Sequence, residues 1–157
     1  MDKAFYDTSM FLEPFQRKKF FDKKKGEKIL AVLKGFVKGV DEHFTPATSV
    51  TVLGEIELIL RDPEKTKRFS QPPEYIREII NDIINRFEIV CIKEDSIHLA
   101  SDLIKKDPRG LKSMDALNFA CAVYNNCKTF AFIDSELKNN IFIKRIADDN
   151  GIKLNPW

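Results

Sequence analysis

The chain has 157 residues, of which 43% are apolar and 32% charged, with a formal net charge of +2. That length fits one domain, residues 1–157, able to bury a core without disulfide or metal staples. The composition excludes a disordered chain, no apolar run approaches the roughly 18 residues of a membrane-spanning helix, and the near-neutral balance neither demands nor excludes a nucleic-acid partner.

In chain order, Ala4-Phe5-Tyr6 reads as a short strand that ends at Asp7. Helices follow over residues 9–15 and 26–40, the second with Ile29, Leu30, Leu33, Phe36, Val37 and Val40 on one side. Between them lies a basic connection, residues 16–25. Residues 43–48 suit a second strand, with Pro46 at its edge or start. Ser49 is placed to cap a helix that runs to Arg61 and closes at Asp62-Pro63. Pro72-Pro73 opens the next helix, striped by Ile76, Ile79, Ile80, Ile83 and Ile84. Glu88-Ile89-Val90-Cys91-Ile92 is a third strand, and helices cover 95–106 and 113–126. A fourth strand, Thr129–Ile133, leads directly into Asp134, and one helix spans 135–149 up to Asn150-Gly151, a good left-handed terminator. Ile152-Lys153-Leu154 is a fifth strand. Strands alternating with helices pair in parallel, which predicts an α/β fold: a three-layer α/β/α sandwich on a central parallel sheet of four to five strands.

Cys91, Cys121 and Cys127 are odd in number and lack zinc or redox spacing, so they read as small buried hydrophobes. His43 and His98 stand apart from other soft ligands, which argues against zinc. Met1-Asp2-Lys3 runs straight into apolar residues without a basic leader or cleavage site. No secretory signal is therefore expected, and the cytoplasm is the expected compartment.

Four acids stand at positions that matter for chemistry. Asp7 and Asp134 follow parallel strands, and ligands of open parallel sheets bind outside the carboxyl ends of strands. Asp115 lies in the first turn of its helix, where its charge also suits the helix dipole. A glutamate from the helix after the second strand could join them. Glu55 and Glu57 are two residues apart, roughly 200° around a helix, so only one can face a shared site, and periodicity does not choose between them.

The motifs resemble those of the PIN-domain family, especially its small VapC-like prokaryotic branch. Ala4-Phe5-Tyr6-Asp7-Thr8-Ser9 is similar to its opening strand and Asp-x-Ser/Thr exit. Thr48-Ser49-Val50-Thr51-Val52-Leu53-Gly54-Glu55 resembles the segment that carries the family's glutamate, and this match selects Glu55. Ser113-Met114-Asp115-Ala116-Leu117-Asn118 resembles the Asp-Ala helix, and Phe130-Ala131-Phe132-Ile133-Asp134 the fourth-strand motif. The tail Gly151–Pro156 is like the short last strand. One departure is Phe132, which stands where a threonine is common.

The resemblance implies a metal-dependent endoribonuclease that hydrolyses phosphodiester bonds of single-stranded RNA. It makes Asp7, Glu55, Asp115 and Asp134 the catalytic and metal-site acids, holding Mg2+ or Mn2+. On this resemblance Asp7 and Asp115 are the direct ligands and Glu55 and Asp134 act partly through water; Ser9 supports them by hydrogen bonding a ligand carboxylate or phosphate, or else only satisfies a nearby backbone group. The implied role is the toxin of a toxin–antitoxin pair, with an antitoxin protein as partner and a homodimer as assembly. A housekeeping RNA-processing nuclease is the runner-up, followed by a non-catalytic PIN-like module that binds RNA or protein. A haloacid-dehalogenase-like phosphatase would open Asp-x-Asp, whereas Ser9 removes the second acid here. Positive charge for RNA could come from Arg17, Lys18, Lys19, Lys23, Lys24, Lys25, Lys65, Lys67 and Arg68, and Phe20 and Phe21 could stack bases or pack against helices.

Overall fold

A computed structural model describes residues 1–16, 44–62 and 73–155. The helix expected over 26–40, the basic residues from Arg17 to Lys25 and from Lys65 to Arg68, Phe20, Phe21 and His43 lie outside the described residues.

The elements run β1 (Asp2–Tyr6), α1 (Thr8–Gln16), β2 (Phe44–Ser49), α2 (Val50–Arg61), α3 (Pro73–Arg86), β3 (Glu88–Val90), α4 (Glu94–Lys106), α5 (Ser113–Tyr124), β4 (Cys127–Ala131), α6 (Ser135–Asn139), α7 (Ile141–Asp149) and β5 (Lys153–Leu154). All five strands pair in parallel, in the order β3-β2-β1-β4-β5, and the helices form the outer layers of an α/β/α sandwich. The strand order reverses about β1, so the exits of β1 and β4 form the crevice where such sheets bind ligands.

Successive side chains of a strand point to opposite faces, and the aromatic core divides accordingly. On one face Phe5 stacks on Phe130 with ring centroids 5.7 Å apart, and Phe119 and Phe132 close on Phe130 at 5.3 and 5.5 Å. On the other face Tyr6 meets Phe87 edge-on at 5.4 Å, and Phe11 joins them. Ala4, Phe5 and Tyr6 are thus buried on both sides, as a central strand requires. Pro46 sits inside β2 opposite Ala4, just before pairing with β3 begins at Ala47, so its missing N–H breaks no bond to β3.

Several expectations need correction. The fourth strand begins and ends two residues early. Its start is set by Asn126, whose left-handed backbone (φ 56) turns the chain after α5, which itself ends at Tyr124. Its end is set by side chains that displace the ladder: Phe132 N–H donates to Asn155 Oδ1 (2.8 Å) and Ile133 N–H to Ser9 Oγ (3.0 Å). Asp134 therefore follows a two-residue exit rather than the strand itself. The third strand stops at Val90, because its partner β2 ends at Ser49, and Cys91 beyond it is exposed rather than buried. Cys121 and Cys127 are buried, as expected, and burial pushes the Cys127 thiol up to about 12.

The helix expected over 135–149 is two helices. Asn140 takes an extended backbone, accepts the amides of Phe142 and Ile143, and donates to Asp107 Oδ2 (2.8 Å), so its side chain starts α7 anew. On α3, Ile76, Ile79 and Ile83 are buried but Ile84 is exposed. Ser49 caps α2 as expected, accepting from the Val52 amide, and Gly151 turns left-handed (φ 63) after α7. Among the described residues no helix is long and apolar enough to cross a membrane.

Candidate metal centre

Asp7 ends β1, buried, with its amide donating to the Ala131 carbonyl of β4 (2.9 Å). Its carboxylate is held from two sides. Oδ2 accepts from the Ser9 amide (3.1 Å) and hydroxyl (2.8 Å), and Oδ1 accepts from Asn118 Nδ2 (3.0 Å). Asn118 is fully buried on α5, one turn after Asp115, and its own oxygen accepts from Thr51 (3.0 Å), which shares a 2.6 Å hydrogen bond with Ser49. A polar chain thus runs from the cap of α2 to the β1 carboxylate. The Ser9 hydroxyl donates to Asp7 Oδ2 and accepts from the Ile133 amide.

Glu55 accepts a hydrogen bond from the Thr8 hydroxyl, which brings it against the β1 exit. Glu57 points elsewhere and pairs with Arg61 at 2.9 Å on the same helix. Burial raises the Glu55 carboxyl above its ordinary range and the Asp7 charge adds to the rise, against the Thr8 hydrogen bond and the Lys112 charge. Asp115 is pushed up to about 7, by burial first and then by Asp7, with Lys112 opposing and Asp134 and Glu55 adding. Asp134 caps α6, accepting from the Glu136 amide (2.7 Å), and its other oxygen lies 3.5 Å from Lys112 Nζ. Burial would lower the Lys112 ammonium, but Asp134, Asp115 and Glu136 together outweigh it and raise it.

The four sequence-predicted acids therefore meet at one end of the sheet, close enough to disturb one another's protons. As the side chains stand, no group of three or more His, Cys, Asp or Glu among the described residues is arranged to hold a metal ion. Asp7, Glu55 and Asp134 each accept hydrogen bonds from the chain itself. The donor chemistry nonetheless fits a hard divalent cation, being all oxygen from carboxylates that lie near enough for Asp7, Asp134 and Glu55 to add to the burial that raises Asp115. Sequence reasoning missed Thr8, Lys112 and Asn118. Asn118 carried a readable signal, a lone amide inside the apolar stretch Ala116–Ala122, one turn from an acid.

Phe132 contributes no hydroxyl to this crevice, and its ring is buried against Phe130. His98 lies outside it, exposed beside Glu94.

Comparisons with known proteins bear on this arrangement. No curated protein matches the chain. Among solved structures it is similar to VapBC2 from Rickettsia felis, bound to a DNA fragment from their promoter, with a TM-score of 0.62 and 14% identity over 97% of this chain and 96% of that one. It is also similar to FitAB bound to the IR36 DNA fragment, with a TM-score of 0.50 and 17% identity over 98% of this chain and 95% of that one. At such identities these likenesses establish the fold. A family model, the PIN domain, matches residues 4–142. On that match, and with the sheet order and acid placement just described, the chain belongs to the PIN-domain family.

Proposed function

We propose that the chain is a divalent-metal-dependent endoribonuclease that hydrolyses phosphodiester bonds of single-stranded RNA in the cytoplasm, as the toxin of a toxin–antitoxin pair. The observation that carries this reading is the meeting of Asp7, Glu55, Asp115 and Asp134 at the carboxyl end of the sheet, with Asp115 raised to about 7. PIN domains are generally nucleases, which agrees with it. Asp7 and Asp115 would hold Mg2+ or Mn2+ directly, Glu55 and Asp134 partly through water. Such an ion supplies an acidified water and stabilises charge on the scissile phosphate and leaving oxygen.

The chain's own residues orient these ligands. Ser9 and Asn118 fix the Asp7 carboxylate, and Thr8 fixes Glu55. Lys112 keeps a positive charge beside Asp134, at the rim where a phosphate arrives. The scheme needs no histidine base and no covalent nucleophile.

The likeness to VapBC2 and FitAB supports an antitoxin protein as partner. Exposed apolar side chains such as Leu58, Ile84 and Ile97 offer surface for a homodimer. A mass in sedimentation that stays monomeric at every concentration rejects the dimer.

The deciding experiment is cleavage of unstructured RNA by the purified chain with Mg2+ or Mn2+, with EDTA, and after Asp115→Asn. Cleavage that needs the ion and Asp115 is expected. Full activity in EDTA removes the metal, and no cleavage of any single-stranded RNA removes the ribonuclease. For the toxin role, expression should arrest growth, with relief by the product of a small neighbouring reading frame. Growth without effect removes the toxin role.

A further inference from the structure

A cavity of about 240 Å3 opens beside the acids, between the loop that joins α4 to α5 and the segment of α6 up to Asn140. It is continuous with the metal centre through the chain. Ser135 and Glu136 on one wall directly follow Asp134, and Leu111 on the other directly precedes Lys112. Lys112 Nζ bridges the two sides, 3.5 Å from Asp134 and 3.7 Å from Glu136.

Hydrogen bonds among its lining residues frame the cavity. Asp107, nearly buried, accepts from the Arg109 amide (3.0 Å) and from Asn140 (2.8 Å). The Arg109 guanidinium donates to the Asn139 carbonyl (3.2 Å). Gly110 turns left-handed (φ 81), which brings Leu111 back as an apolar floor. Arg109 and Glu136 remain 62% and 73% exposed, so the guanidinium N–H groups not used on Asn139 or facing Asp107 (3.8 Å), and the Glu136 carboxylate outside its 3.7 Å pair with Lys112, can meet a ligand.

We propose that this cavity is a subsite for one nucleobase of the RNA strand beside the cut, with guanine its best fit. The inference rests on the ribonuclease reading above. The volume falls below the about 300–1,000 Å3 of a drug-sized pocket, which suits one flat base. Leu111 contacts the face of that base. Arg109 offers N–H groups to guanine O6 and N7, or its plane for stacking. Glu136 accepts from guanine N1–H and the N2 amine, two adjacent donors that match a carboxylate. Adenine presents an acceptor at N1, and uracil and cytosine each present a single donor group beside acceptors, so each leaves part of this set unpaired or repelled.

The test uses short single-stranded RNAs identical except for one position flanking the mapped cut, filled in turn by G, A, C or U. The readout is the ratio of kcat/KM for G over A, for wild type, Arg109→Ala and Glu136→Gln. Wild type should favour G by about tenfold or more at one position, and each variant should lose most of that ratio. Glu136 is exposed and outside the core, so its variant keeps the test informative should Arg109→Ala loosen the loop. A wild type without base preference, or a preference that survives Glu136→Gln, overturns the subsite and leaves the nuclease standing. A wild type that cuts none of the RNAs overturns both.

Discussion

Neutralising Asp115 should make the metal-free protein more stable. Its carboxyl is raised from 3.8 to about 7, by burial and then by Asp7. At about 1.36 kcal/mol per pKa unit that shift corresponds to about 4 kcal/mol at most. The side chain is only half-buried, so solvent screening brings the effect nearer about 1–2 kcal/mol. The sign follows from linkage. Between pH 3.8 and about 7 the folded chain keeps a proton that the unfolded chain has lost. Folding stability therefore declines as pH rises through that window and is lowest above it.

Asp115→Asn should accordingly match wild type near pH 3 and, in EDTA at pH 8, melt about 2–8 °C higher. Saturating Mn2+ should then stabilise wild type, by about 2.7 kcal/mol at a hundredfold excess over Kd, and the variant much less. Thermal unfolding followed by circular dichroism at both pH values, with and without metal, reads all four terms. The opposing outcome has its own cause: an acid in the first turn of a helix gains about 0.3–1 kcal/mol from the helix dipole. A variant that melts lower than wild type at pH 8 without metal would refute the crowding of charge argued here.

Three further outcomes are expected. Asn118→Ala leaves the buried Asp7 Oδ1 without its donor and takes one of two partners from the Thr51 hydroxyl, so it should cost about 1–3 kcal/mol in denaturant unfolding and lower kcat/KM sharply; an unchanged unfolding midpoint disproves the polar chain. Glu55→Gln should abolish most cleavage, whereas Glu57→Gln loses an exposed pair with Arg61 worth about 0.3–0.5 kcal/mol and should cut RNA at nearly the wild-type rate; the reverse ranking would show the wrong helix face was chosen. Phe132→Thr should destabilise by about 3 kcal/mol, since it empties an aromatic site against Phe130, and a neutral result in urea would contradict that packing.

What the sequence disclosed and what it hid differ by the range of the interactions involved. Strand–helix alternation and the Ser49 cap are local, and both are found where the pattern places them. Asp7 and Asp115 were legible because each sits at a junction of elements. The choice of Glu55 over Glu57 needed the family motif, because both flank the buried stripe of Val52, Leu53, Ile56 and Leu60 and the distinction is made by Thr8 on another helix. Asn118 and Lys112 act on residues distant in sequence, so no window of neighbours reveals their partners. The early end of β4 has the same cause, since Asn155 and Ser9 divert its last amides. Asn140 is different: an amide before Ile141-Phe142-Ile143 is a cap signal, and the continuous apolar periodicity masked it.

The strand order has a consequence for when the chain can act. β1 opens the sequence, yet its neighbours are β2 and β4, and the Asp7 amide closes on Ala131 near the other end. Contacts this distant form late, after much of the chain has been fixed. During synthesis, a nascent chain that has not passed β4 lacks both Asp134 and the strand whose Ala131 carbonyl takes the Asp7 amide. Partial products of translation, and fragments clipped anywhere between β1 and β4 that then separate, carry no complete centre. The parallel arrangement thereby makes the meeting of the four acids a property of a chain folded from β1 through Asp134.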